Sequence, residues 1–197
     1  MRAHPQSGRR IAFLVLAAAG LCAMPLQASD LPYWVEPCTN PKSGCLAEDV
    51  QLAHWALEAW QSASDGRIQM VEAKDRDHAL LQIVWALPEA NLYGETMPIR
   101  VMGQRGALVN IRIVTPEGND RLMRDTVVYL TCLHESGHAL GMEHTDQFAD
   151  IMYSFEYGGN IREYFARYRR KLATREDIRK NSGLSADDVK TFGKIAR

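Results

Sequence analysis

The stretch that decides the fold runs from 134 to 153 and reads HESGHALGMEHTDQFADIMY. His134 and His138 are four residues apart on a predicted helix, so both imidazoles lie on one face, about one 5.4 Å turn apart. Gly141 follows three residues later, and glycine readily adopts the left-handed conformation that ends a helix and turns the chain back. We therefore expect His144 to return to the same place and supply a third nitrogen.

Three neutral imidazoles at this spacing predict one zinc ion, with each nitrogen about 2.0–2.1 Å from the metal. Three protein ligands leave a fourth position for water, which is typical of a catalytic rather than a structural zinc site. Glu135 lies about 100° around the helix from His134, beside the metal rather than on it. The sequence therefore predicts Glu135 as the general base that takes the proton of that water and hands it to a leaving amine.

A bare H-E-x-x-H also occurs on solvated helix faces, whereas the longer pattern is far more specific. With its glycine, third histidine and later Met152, the stretch resembles the metzincin metallopeptidases, whose signature ends in a Met-turn. Met152 stands eight residues after His144, which is similar to the matrixin branch and the catalytic domain of matrix metalloproteinases. The resemblance implies that residues 150–153 form the Met-turn and that Met152 is the hydrophobic base beneath the metal.

The same resemblance implies an α+β, metzincin-like fold: a twisted mixed sheet with two long helices, the Met-turn and a C-terminal helix. We expect one metallopeptidase domain over 29–197, with a helical insertion at about 154–183. Apolar residues recur at helical spacing within that insertion, which indicates either packing or a border of the cleft. The chain departs from matrixins in having Ser154 where a proline usually follows the Met-Tyr pair. It also has no His-rich structural zinc loop, so His54 and His78 are expected to be ordinary residues.

Periodicity places the elements of the remaining chain. Helices are predicted over 47–64, over 125–140 with Asp125 as N-cap, and over a last segment capped by Ser185 with Asp188 in a capping box. Thr174 and Asp177 indicate a further short helix. Strands are predicted over 68–73, 80–86, 92–102 and 107–115. A peptide substrate is expected to add to an edge strand, either 92–102 or 107–115.

The first 28 residues have the three-part layout of an export signal, with three arginines, an apolar stretch and a small residue at the cut. We expect a secreted or periplasmic protein that is free of the membrane after cleavage. Export permits disulfides, and Cys38 and Cys45 bracket a turn-forming loop, so we expect them to be bonded. Cys132 is expected to be a small core residue.

The 197 residues carry 23 basic and 24 acidic side chains, and nothing in this balance points to nucleic acid, so we expect no nucleic-acid partner. The function predicted is that of an exported zinc endopeptidase that acts on proteins or peptides as a monomer. Two alternatives stay open: a secreted zinc-binding module without general protease activity, and a peptidase dedicated to one target. The sequence sets no expectation about calcium.

Overall fold

The computed structural model describes residues 28–90, 92–116 and 118–196, so the expected export signal lies outside the described residues, apart from Ala28. The described part has an α+β fold with a mixed sheet, as predicted, and the sheet has five strands rather than the four expected. The strands are β1 (Ser29–Val35), β2 (Ile68–Glu72), β3 (Leu81–Ala86), β4 (Gly94–Val101) and β5 (Gln104–Arg112). The helices are α1 (Asp49–Ala63), α2 (Arg121–Ala139), α3 (Ile161–Arg169), α4 (Asp177–Lys180) and α5 (Ala186–Ile195).

The sheet has the strand order β2-β1-β3-β5-β4, with β4 antiparallel to β5 and the other pairs parallel. Two segments were proposed as the edge strand that binds the substrate. The first, 92–102, contains β4, which lies at an edge of the sheet. The second, 107–115, overlaps β5, and that prediction is wrong because β5 lies between β3 and β4. Strand β1 was not predicted. It carries Pro32 and few β-branched residues, and its two parallel partners are distant in sequence.

Helix α2 begins earlier than the sequence suggested, and Asp125 is not its N-cap. Asp120 caps it instead, accepting a hydrogen bond from the backbone N–H of Met123 at 3.0 Å. Asp125 is buried one turn inside the helix, where its carboxylate accepts from Arg121 at 3.3 Å. Both aspartates are plausible caps in sequence, but Asp125 lies within the helix and also contacts Arg175 at 3.7 Å.

The core fills the space between the sheet and the two long helices. Alternate residues of β3 and β5 are buried on the helix side, including Ile83 and Val109. The indole N–H of Trp60 on α1 donates to the carbonyl of Leu133 on α2 at 2.9 Å. Cys132 is fully buried, as expected of a core residue. This packing holds α2 rigidly behind the candidate site.

The segment before α1 is fixed by covalent and ionic links. Cys38 and Cys45 form a disulfide, with their Cα atoms 5.6 Å apart. Arg124 of α2 donates to both carboxylate oxygens of Asp49 at 2.7 Å, and to the carbonyl of Gly44 at 3.1 Å.

Among the described residues, no helix combines the length and the apolar character needed to cross a membrane.

The C-terminal part follows the sequence prediction closely. Ser185 caps α5 and forms a capping box with Asp188. The carboxylate of Asp177 accepts from the backbone N–H of Thr174 at 2.9 Å at the start of α4. Helices α3 and α4 lie within 154–183, where helical structure was expected.

Candidate metal centre

The three histidines predicted as ligands meet at one point. The Nε2 atoms of His138 and His144 are 3.0 Å apart, and those of His144 and His134 are 3.3 Å apart. One ligand atom from each residue lies within 4.8 Å of the others. Two nitrogens bound to a tetrahedral ion at about 2.05 Å lie about 3.3 Å apart, so this group can hold a metal ion.

Backbone carbonyls orient two of these rings. His134 donates from Nδ1 to the oxygen of Ile151 at 2.7 Å, and His138 donates from Nδ1 to the oxygen of Met142 at 2.9 Å. Because a carbonyl oxygen can only accept, the proton of each neutral ring sits on Nδ1. The lone pair is therefore on Nε2, which faces the other imidazoles, as a metal ligand requires.

The electrostatics of the site keep the rings of His134 and His138 neutral. The pKa of His134 is lowered to about 4, chiefly by burial and to a smaller extent by the imidazoles of His138 and His144, against the opposing effect of its hydrogen bond to a backbone carbonyl. The pKa of His138 is lowered by burial and by His144 as well. Neutral imidazole is the form that binds a metal, so these two rings need lose no proton at pH 7.

Gly141 ends the helix in the way the sequence suggested. Its φ of 91° lies in the left-handed region, where glycine is favoured. Its N–H donates to the carbonyl of His138 at 3.0 Å, and the N–H of Met142 donates to Gly137 at 2.9 Å. The chain then reverses and brings His144 back to the helix.

The predicted turn around Met152 lies directly behind α2. Met152 is fully buried, and a Cβ placed on Gly137 would stand only 2.5 Å from its sulfur. The backbone N–H of Thr145 donates to the carbonyl of Met152 at 2.8 Å, and the N–H of Ser154 donates to that of Thr145 at 3.1 Å. The turn therefore fixes the segment that carries His144.

Helices α5 and α3 anchor the same turn. The carboxylate of Asp188 accepts from the N–H of Ile151 at 2.9 Å, and Ser185 donates to Asp150 at 2.7 Å. The hydroxyl of Tyr164 lies 2.9 Å from the carbonyl oxygen of Asp150 and 3.2 Å from that of Ile151. The apolar spacing of α3 indicated packing, and nothing in it pointed to this hydroxyl.

Glu135 is buried next to the three histidines but is not one of the metal-binding group. Its Oε2 accepts a hydrogen bond from the hydroxyl of Thr96 on β4 at 2.8 Å. The pKa of Glu135 is raised to about 7, chiefly by burial and to a smaller extent by repulsion from Glu95, while the hydrogen bond from Thr96 opposes the rise. A carboxyl group with this pKa can both accept and release a proton near neutral pH. Thr96 was missed in the sequence because it lies 39 positions from its partner.

A cleft of about 1010 Å³ opens over these side chains. Its lining includes residues of β4, the three histidines and Glu135. Ile161, Tyr164 and Phe165 also line it, so the apolar stripe of α3 both packs and borders the cleft. The site therefore joins a metal-binding group, a buried carboxyl group and an open strand edge in one cavity.

His54 and His78 lie outside the triad, as expected. His54 contacts the hydroxyl of Tyr33 at 3.0 Å, and His78 contacts Asp75 at 2.5 Å.

No protein-family model matches this chain, and no curated protein sequence matches it either.

Proposed function

We propose that this chain is an exported zinc-dependent endopeptidase, similar to the matrixin branch of the metzincins. One observation carries the proposal: the Nε2 atoms of three histidines converge beside Glu135, in a cleft bordered by an open strand edge. The donor set fits zinc, which prefers nitrogen ligands in a tetrahedral site. Zinc bound there supplies Lewis-acid activation of water and of the scissile carbonyl.

The free edge of β4 supports an extended peptide as the substrate. Ala107 of β5 donates its N–H to the carbonyl of Leu80, the residue just before β3, so the polar backbone groups of Ala107 point away from β4. Its register partner Pro98 therefore turns its own polar backbone atoms to the open edge. By the same alternation, Gly94 and Thr96 present N–H and C=O groups to an added strand.

Glu135 would perform the proton transfers. A carboxylate beside the triad accepts a proton from the attacking water and then donates it to the amine of the departing peptide. The carboxyl group changes charge in each step, and its pKa of about 7 makes both forms accessible. Thr96 holds Oε2, so we assign the transferred proton to Oε1.

The proposed domain spans 29–197, with α3 and α4 in an insertion over 154–183 that borders the cleft. The disulfide between Cys38 and Cys45 is compatible with export to an oxidising compartment. Asp150, Ile151, Met152 and Tyr153 are assigned to the Met-turn.

The test is a comparison of the purified protein with and without metal on a mixed peptide library, with cleavage detected by mass spectrometry. We expect internal cleavage that a chelator abolishes and that added zinc restores. If the zinc-loaded protein cuts no peptide, the general endopeptidase is excluded. A zinc-binding module or a peptidase dedicated to one target would then be the account to pursue.

A further inference from the structure

The strand that would bind the peptide also contacts the side chain of the general base. The hydroxyl of Thr96 on β4 lies 2.8 Å from Oε2 of Glu135 and 2.9 Å from the backbone oxygen of the same residue. A hydroxyl has one proton, so it donates to one of these oxygens at a time. Both acceptor oxygens belong to Glu135, so whichever one accepts the proton, the hydrogen bond restrains Glu135.

Gly94 allows β4 to approach this closely. A Cβ at Gly94 would stand 2.5 Å from Cγ of Glu135 and 2.8 Å from its Oε1. Such distances are far inside van der Waals contact, so a side chain there would displace the carboxyl group. Gly94 confines the Glu135 side chain from one side, and the Thr96 hydroxyl holds one of its oxygens.

The backbone atoms of Gly94 and Thr96 point to the free edge of β4, as their register relative to β5 requires. The side chain of Thr96 points to α2, where it contacts Glu135. One short piece of strand thus offers backbone hydrogen bonds to a peptide and a side-chain hydrogen bond to the base. Gly94 and Thr96 together therefore set the position of a bound peptide relative to the carboxylate of Glu135.

We propose that Thr96 is a positioning residue that fixes the Glu135 carboxylate for proton transfer, an inference that rests on the proposed endopeptidase function. The terminal torsion angle of a glutamate side chain has a broad distribution, so an unrestrained carboxylate samples many orientations. Proton transfer needs the oxygen within hydrogen-bond reach of the proton it takes. The Thr96 hydroxyl holds Oε2 and so selects one orientation of the carboxylate, which leaves Oε1 for the transferred proton.

The experiment measures kcat and KM on one cleaved peptide for Thr96→Val, Thr96→Ser and a surface control, Thr191→Val, all loaded with zinc. Thr96→Val keeps the shape and removes the hydroxyl. We expect kcat to fall about tenfold with KM within about twofold, since the peptide contacts the backbone and not this side chain. Thr96→Ser keeps the hydroxyl and should retain most of the wild-type kcat. Zinc content and thermal unfolding are measured for each protein.

Two results would overturn the inference while leaving the endopeptidase intact. One is an unchanged kcat in Thr96→Val, and the other is an equal loss of kcat in Thr96→Ser. If Thr96→Val does not fold, Thr96→Ala carries the same expectation for kcat. A zinc-loaded wild-type protein that cleaves nothing would overturn the proposed function, and this inference with it.

Discussion

The imidazole of His134 and the carbonyl of Ile151 form a hydrogen bond of 2.7 Å that joins α2 to the turn behind it. The hydroxyl of Tyr164 lies 3.2 Å from the same carbonyl oxygen. Asp188 fixes the N–H of Ile151 from the start of α5. One residue of the turn therefore connects a candidate metal ligand to two C-terminal helices. Such outer contacts orient a ligand and raise its affinity for the metal.

Tyr164→Phe should loosen this connection. The variant removes a buried hydroxyl, so we expect the free energy of unfolding to fall by about 1 kcal/mol. Zinc affinity should fall about three- to tenfold, because Ile151 holds His134 less firmly. Chemical denaturation and a competitive zinc titration measure the two effects. Tyr157→Phe is the control, since Tyr157 is 62% exposed. Zinc affinity equal to wild type would show that Tyr164 does not act on the site.

Asp188→Ala should destabilise the protein more strongly. Its carboxylate accepts from the backbone N–H groups of Ile151 and Ser185, at 2.9 and 2.8 Å. Removal leaves two donors without a partner, and we expect a loss of about 2–3 kcal/mol of unfolding free energy. Asp187→Ala is the matched control, because Asp187 is the exposed neighbour on the same helix. Equal stability of the two variants would contradict the anchoring role.

Metal removal should lower the melting temperature without unfolding the protein. Helix α2 is held by buried apolar contacts, including Leu133 against Trp60, and these need no metal. Free zinc at 1,000 times its dissociation constant adds about 4 kcal/mol of stability. Circular dichroism of the chelated protein should therefore show native helix content with an earlier thermal transition. A chelated protein that is unfolded at 25 °C would mean that the metal builds the fold.

Pro98→Ala should improve binding of long peptides. Pro98 turns its backbone to the open edge but has no N–H, so an added strand loses one hydrogen bond there. The alanine variant restores the donor, and one net hydrogen bond corresponds to about a two- to tenfold lower KM. A peptide too short to reach Pro98 should show no change and serves as the control. An unchanged KM across a series of lengthened peptides would place the substrate elsewhere.

The parts of the site that the sequence predicted are those set by local geometry. Helical spacing puts His134 and His138 on one face, and Gly141 reverses the chain within a few residues to bring back His144. The capping box of α5 could likewise be predicted from the sequence, because Ser185 and Asp188 are three residues apart.

The parts that were missed depend on contacts between distant segments. Thr96 reaches Glu135 only because strand pairing places β4 over α2. The position of β4 at the edge follows from the strand order, which no single strand encodes. Asp120 rather than Asp125 caps helix α2, and the buried carboxylate of Asp125 instead lies 3.7 Å from Arg175 of a distant segment.

The most direct test of the account replaces the proposed general base. Glu135→Gln keeps the size of the side chain and its contact with Thr96, but the amide cannot accept and return a proton. The variant and the wild-type protein, both loaded with zinc, are incubated with the same peptide library and followed by mass spectrometry. We predict that the variant binds one zinc ion, as wild type does, and that its cleavage rate falls at least about a hundredfold. Equal cleavage by the two zinc-loaded proteins would contradict the account.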